Sequence, residues 1–350
     1  MMTENPYVKQ FPELMAGKTV VYCHGFGSSG QSGTVSRLRT VMPQARVIAP
    51  DLPIDPHAAI ALLHALCERE QPDLVIGTSM GGMYCEQLRG RDRICINPAL
   101  EIADTMRAHG MTGTQQFQNP RQDGVQEFYV DKALVKAYRE VSEQRFEGLT
   151  DDDRRRVYGL FGDRDDLVDT FDLFSSHYPL TTHFHGEHRM DDRSYMHSVV
   201  PVIRWIDDRQ SGRERSIIYI GVETLMEHPA LPRPPQEVRP ASSAQKAVRQ
   251  LIEHYQVYFV ASPSQYAMVS PWLEEYINVP AWRHTVYTDR RDLLYGDYLI
   301  AGVQGMHIPG SEASGDGSEG DTMATLLEYG SDTFKTWEDV IEYFSRLGGQ

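Results

Sequence analysis

The chain has 350 residues, about twice the usual length of one domain, so two domains are expected, each long enough to bury a core without staples. Apolar residues make up 41% and charged residues 24%, an ordinary balance for a soluble globular protein. The formal net charge of −15 weighs against nonspecific binding to nucleic acid or anionic membranes, since their phosphates would be repelled.

The opening stretch "MMTENPYVKQFPELMAGK" lacks the apolar core of a signal peptide. No run approaches the roughly 20 apolar residues of a membrane span. The four cysteines, Cys23, Cys67, Cys85 and Cys95, show neither CxxC spacing nor a histidine partner pattern. Cys23 and Cys95 sit in β-like runs, so buried free thiols in a reducing cytoplasm are expected, without disulfides or a metal.

In chain order, "KTVVYCHGF" reads as a strand entering a glycine-rich turn and "ARVIAPDLP" as a second strand. "PHAAIALLHALCERE" has helical spacing, "DLVIGTSMGG" is a strand meeting a tight turn, and "MYCEQLR" is helical. "RICINPAL" and "RRVYGLFGD" are further strands. Short apolar runs between helices predict a parallel sheet covered on both faces. Over 101–153 the pattern loosens: "MTGTQQFQNPRQDG" reads as loop and "DKALVKAYREVSEQRF" as helix, together a lid over the sheet. "VVPVIRWIDDRQSGRERS" reads as a closing helix and charged connector, which puts a boundary near Asp207–Arg215.

The second half restarts the alternation with "SIIYIGVETL", Pro-rich "HPALPRPPQEVRPASS", helix "AQKAVRQLIEHY", strand "QVYFVAS" and helix "SPWLEEYI". Strand "DYLIAGV", loop "GSEASGDGSEGD" and helix "TWEDVIEYFSRL" complete it. The expected fold is α/β, two doubly wound parallel-sheet domains over 1–210 and 216–350.

The chemistry lies first in Gly77-Thr78-Ser79-Met80-Gly81, a G-x-S-x-G between a strand and a helix. Small flanking residues permit a strained turn that projects Ser79 above the sheet as a nucleophile. "YCHGFGSSG" supplies a second turn toward it, and the Phe26 and Met80 amides are the expected oxyanion donors. His24 is read as holding that loop. The orienting acid and the base should follow Ser79 in chain order. Asp165 fits G-x-x-D-x-x-V with Gly162 and Val168, and Asp163 is the competing acid. His188, after the Gly186 turn, is preferred as base over His185; His183 and His197 are read as ordinary surface or helix residues. The bland alternative is a hydrolase fold without activity.

These segments ("HGFGSS", "APDLP", "GTSMGG", "NPAL", "GDRDD" and "GEHRM") resemble the small bacterial α/β-hydrolase esterases of the YqiA type over roughly residues 18–207. The resemblance implies a serine esterase or thioesterase acting on a small acyl ester or thioester, with no cofactor. The segment around Asp165 departs from that family in length and acidity.

The second half resembles the 5′(3′)-deoxyribonucleotidases of the haloacid-dehalogenase (HAD) superfamily, through "IIYIGVETL", "YFVASPSQY", "RRDLLYGDYLIAG" and "YGSDTFKTWEDVIEYF". Carried across, the nucleophilic Asp of that family falls on Gly221 and its general-acid Asp on Glu223. The phosphate-binding Ser or Thr falls on Ser262, the Lys on Arg291, and the metal-holding pair on Ala301 and Gly302. The resemblance therefore implies a degenerate HAD-like domain with its magnesium site dismantled and, at most, a vestigial phosphate site at Ser262 and Arg291. Such a domain would serve as a ligand-sensing module, a docking partner, a homo-oligomer interface or plain scaffold. Asp297 and Trp337 are read as fold positions. The alternative functions are a non-catalytic binding or scaffold protein and, weakest, a working nucleotidase.

Overall fold

The computed structural model describes residues 7–228, 237–279, 281, 283–303, 306 and 324–347. They fall into two compact units, 1–210 and 211–350. Among the described residues no helix is long and apolar enough to cross a membrane.

The first unit runs β1 (Thr19–Cys23), α1 (Gly33–Val41), β2 (Arg46–Ile48), α2 (Pro56–Glu70), β3 (Leu74–Thr78), α3 (Met80–Gln87) and β4 (Arg93–Ile96). It continues through α4 (Ile102–Ala108), β5 (Gly113–Gln116), β6 (Glu127–Val130), α5 (Lys132–Ser142), α6 (Asp151–Arg156), β7 (Val157–Gly162), α7 (Phe171–Ser175) and β8 (Leu180–Phe184). The short α8 (Asp192–Ser194) and the closing α9 (Val200–Ser211) end it. Six strands form one sheet in the order β2-β1-β3-β4-β7-β8, every neighbouring pair parallel. The inner strands β4 and β7 are buried along their whole length, which is why they read as continuous apolar runs.

Local chemistry sets the helix ends. Asp55 caps α2, its carboxylate accepting the Ala58 amide at 2.8 Å, and Pro56 opens the helix where no N–H is needed. All eight residues of α3 are buried, Glu86 included. That carboxylate is satisfied inside the protein by Arg89 and by the Tyr178 hydroxyl. Fully buried Arg93 on β4 pairs with Asp153 at 2.5 Å. Burial alone would raise the Asp153 carboxyl, but the Gly90 amide, the Thr150 hydroxyl and the Arg93 charge outweigh it and hold the group below its ordinary value.

Two expected elements are corrected. The stretch read as a loop contains β5, which pairs antiparallel with β6 in a separate hairpin. Its "GTQQ" sequence alternates half-buried and exposed positions without an apolar residue, so the hydrophobic period that marks a strand is missing. The helix expected to reach Phe146 ends at Ser142.

The second unit contains β9 (Ile217–Gly221), α10 (Ala244–His254), β10 (Gln256–Ala261), α11 (Tyr266–Trp272), β11 (Thr285–Tyr287), β12 (Tyr298–Gly302), β13 (Thr325–Tyr329) and α12 (Trp337–Leu347). Its five strands are parallel in the order β11-β10-β9-β12-β13. Numbered within the unit this is 3-2-1-4-5, the doubly wound order. Strands β11 ("TVY") and β13 ("TLLEY") are short and partly exposed, and the sequence expectation did not include them. Trp337 is fully buried and donates to the Thr224 carbonyl at 2.9 Å, while Asp297 accepts the Ile217 amide at 2.7 Å. The 310–321 loop and residues 229–236 of the Pro-rich stretch lie outside the described residues.

The tightest approach in the first unit is α3 on β1. A Cβ on Gly81 would stand 2.0 Å from the Cys23 carbonyl oxygen and 2.7 Å from that of His24. Gly81→Ala is expected to destabilise this unit by about 3 kcal/mol or more, read as a lowered urea midpoint. A wild-type midpoint would contradict this packing.

Candidate active site

Ser79 is the single residue between β3 and α3, with φ 57° and ψ −120°. A side chain on the positive-φ side of the map is strained, so its surroundings must hold it. The Ser79 amide donates to the Ile96 carbonyl at 2.9 Å, and the Ser79 carbonyl accepts from Met83 at 3.1 Å and Ala99 at 3.0 Å. The flanking glycines are required by space: a Cβ on Gly77 would lie 2.1 Å from the Gly81 carbonyl oxygen. This turn aims the Ser79 hydroxyl away from the sheet.

Two side chains from later in the sequence meet it. His188 Nε2 lies 3.0 Å from Ser79 Oγ, and His188 Nδ1 lies 2.7 Å from Asp165 Oδ2. The carboxylate fixes the tautomer: Nδ1–H donates to Asp165, and Nε2 is left to accept the serine proton. Asp165 Oδ1 is anchored by the Leu167 and Val168 amides at 2.9 and 3.0 Å. The Asp165 side chain is 4% exposed and that of His188 15%, so the relay is shielded from water.

The competing pair is used differently. Asp163 accepts from His185 Nδ1 at 2.6 Å and from the Gly186 amide at 2.9 Å. These contacts shape the turn that carries His188. His183 stacks on Phe171 at 3.9 Å, and burial lowers its pKa.

Sequence reasoning missed the role of Asn97. It is fully buried just beyond β4, with φ 43°. Its Oδ1 accepts the Gly162 amide at 2.7 Å, and its Nδ2 donates to the His188 carbonyl at 3.0 Å and the Glu187 carbonyl at 3.3 Å. One amide therefore ties the end of β7, which leads to Asp165, to the turn that bears His188. The signal was a buried-strand sequence, "RICI", ending in a polar residue before proline.

The loop after β1 completes the surroundings. His24 is buried; its Nδ1–H donates to the Gly25 carbonyl at 2.9 Å and its Nε2 accepts the Leu52 amide at 2.9 Å. Burial holds this imidazole below its ordinary pKa, partly offset by the Gly25 carbonyl. A Cβ on Gly25 would stand 3.5 Å from Ser79 Cβ, so this loop borders Ser79, with Phe26 next in the chain. The Met80 amide is the first of α3 and adjoins Ser79.

The 101–153 segment is stitched over that loop. The Phe26 ring meets Phe128 and Tyr138 edge-on at 5.2 and 6.0 Å. The Gln118 amide donates to the Gly27 carbonyl at 2.8 Å, and Ser29 Oγ donates to the Pro120 carbonyl at 2.6 Å. The Tyr138 hydroxyl reaches the Ile54 carbonyl and Met80 Sδ.

In the second unit the positions carried over from the phosphatase resemblance are Gly221 and Gly302 at the ends of β9 and β12, with Ala301 beside them. None offers a side-chain oxygen, and the nearby Glu223 carboxylate is taken up by Arg291, so the donor set does not fit magnesium. Among the described residues no group of three or more His, Cys, Asp or Glu could hold one. Arg291 is engaged with Glu223, and the Ser262 hydroxyl caps the turn at Pro263–Gln265.

Residues 19–170 match the model of an uncharacterised protein family, UPF0227. That range takes in Ser79 and Asp165 and stops short of His188. Among curated proteins, none matches. Similar solved structures include Est1E from Butyrivibrio proteoclasticus, at 14% identity and TM-score 0.38, covering 58% of this chain and 92% of that one. A thermophilic esterase from Thermogutta terrifontis is similar at 16% identity and TM-score 0.34, covering 56% and 88%. A thioesterase domain from the curacin biosynthetic pathway is similar at 16% and 0.31, covering 51% and 87%.

His24 makes stability depend on pH. Because its folded pKa lies below the ordinary value of about 6.5, the unfolded chain takes up a proton first as pH falls. Stability is therefore lost below that value, by at most about 1.4 kcal/mol per pH unit for one group. His24→Gln, whose amide oxygen can accept the Leu52 N–H, should flatten this acid-side slope in urea titrations between pH 5 and about 7. Identical slopes would contradict the assignment.

Proposed function

We propose that the first unit is a serine hydrolase that cleaves carboxylic esters or thioesters through an acyl-enzyme. The observation that carries this reading is the unbroken relay from Ser79 Oγ to His188 Nε2 (3.0 Å) and from His188 Nδ1 to Asp165 Oδ2 (2.7 Å). A hydroxyl is a weak nucleophile at neutral pH, and an imidazole in hydrogen-bond reach activates it.

In this mechanism Ser79 Oγ attacks the acyl carbon as its proton passes to His188 Nε2. Asp165 stabilises the imidazolium and keeps its orientation without taking the proton. The carbonyl oxygen becomes an oxyanion, for which the Phe26 and Met80 amides are the donors. Collapse expels the alcohol or thiol, which receives the proton from His188. Water then repeats the sequence on the acyl-enzyme, losing its proton to His188 and releasing the acid and Ser79.

The second unit is read here as a degenerate phosphatase-like scaffold of the HAD type. Its 3-2-1-4-5 strand order supports this, as does the replacement of the family's nucleophile by Gly221. Phosphoryl transfer would lack both an attacking group and the metal, each worth several kcal/mol of barrier.

Hydrolysis of short p-nitrophenyl esters tests the proposal. Ser79→Ala and His188→Ala should each lower kcat by about ten-thousandfold or more while the fold is retained. Asp165→Asn should fall by a similar order, through loss of the correct tautomer. His185→Ala should stay within about tenfold of wild type, because it shapes the turn rather than taking the proton. Wild-type rates in Ser79→Ala would end the proposal. Asn97→Ala should lose about a hundredfold in kcat with KM nearly unchanged, since misplaced His188 affects chemistry more than binding. An unaltered kcat would remove Asn97 from the positioning of the base. Magnesium-supplemented chain should release no phosphate from dUMP or dTMP.

A further inference from the structure

One cluster of charge in the second unit stands where open parallel sheets ordinarily bind their ligands. In the order β11-β10-β9-β12-β13 the chain reverses its winding between β9 and β12. The crevice beyond the carboxyl ends of those two strands is the general ligand position of such folds. Gly221 ends β9 and Gly302 ends β12. Glu223 follows in the short turn Val222–Leu225 and is 4% exposed.

The Glu223 carboxylate turns back over the end of β9. Arg291 Nη1 donates to Oε1 at 2.7 Å and Nη2 to Oε2 at 2.9 Å, a two-pronged grip. The Gly302 amide adds a longer contact to Oε1 at 3.3 Å. A guanidinium fork with a strand-end amide is the donor set that recognises a carboxylate or a phosphate. A Cβ on Gly221 would lie 2.3 Å from Glu223 Oε1, so the carboxylate occupies the space that a side chain at Gly221 would need.

We infer that this crevice is an anion site occupied by the chain's own Glu223. It is closed to soluble anions while that carboxylate is present and open to a small tetrahedral oxyanion once it is removed. An incoming phosphate would have to break the two-pronged pair and leave a buried carboxylate uncompensated beside a second negative charge. With Glu223 shortened, Arg291 keeps its charge, the Gly302 amide loses its acceptor, and the bare Gly221 leaves room. The inference stands on the geometry of the second unit and does not depend on the hydrolase reading of the first.

Calorimetric titration of the full chain with inorganic phosphate, against chloride at matched ionic strength, is the test. The wild-type chain should give no saturable heat. Glu223→Ala should bind one phosphate per chain, and the Glu223→Ala, Arg291→Ala double variant should lose that binding at least tenfold. Saturable binding by the wild-type chain would overturn the inference, and so would a folded Glu223→Ala variant that binds none. Should Glu223→Ala require help to fold, Glu223→Ser purified in phosphate buffer is the second probe. Its melting midpoint should rise with each tenfold increase in phosphate, and failure of phosphate to support either variant counts against the inference.

Discussion

The first unit is organised around a backbone conformation that Ser79 would not adopt unaided. A serine at φ 57° costs strain energy on the order of 1–3 kcal/mol, and it persists because neighbouring elements leave no relaxed alternative. Gly77 and Gly81 let strand, turn and helix approach to distances that any side chain would forbid. The Ile96 and Ser79 carbonyls then pin the turn to the adjoining chain. Strain at this joint is what lifts the hydroxyl toward groups arriving from the other strands. The same joint starts α3, so the Met80 amide adjoins Ser79 without further construction.

Two histidines on the carboxyl side of this sheet are separated by their partners rather than by their type. His188 has a carboxylate on one nitrogen and a hydroxyl on the other, the arrangement a proton shuttle needs. His185 has Asp163 on one nitrogen and half of its side chain in solvent. Asn97 lies behind this arrangement: its side-chain amide is bound to both the Gly162 amide and the His188 carbonyl. The second unit uses the same kind of sheet to the opposite effect. Where a ligand would stand, its own Glu223 and Arg291 satisfy each other.

Much of this was legible in the sequence because the signals were local. The strand–turn–helix around Ser79 and the apolar runs of β1, β3, β4 and β7 each declare themselves within about ten residues. Spacing favours Asp165 over Asp163, and the two carboxylates have different partners: Asp165 meets His188, whereas Asp163 meets His185 and the Gly186 amide. What stayed hidden depends on distant partners. Strand β5 has no apolar period and exists through pairing with β6. Asn97 looks like an ordinary residue before proline until two segments more than 60 residues away converge on its amide. The Glu223 carboxylate lies over Gly221 in the space a side chain there would take, a closeness that no local sequence pattern announces.

The central claim is that Ser79 is reactive because His188 stands beside it. The most direct measurement is labelling of the native chain with a fluorophosphonate, followed by mass spectrometry of the peptide that spans the turn. The account predicts one adduct, on the Ser79 hydroxyl, forming readily in the wild-type chain and slowed at least a thousandfold when the imidazole is deleted. An unlabelled Ser79, or an adduct that forms equally fast without the imidazole, would contradict it.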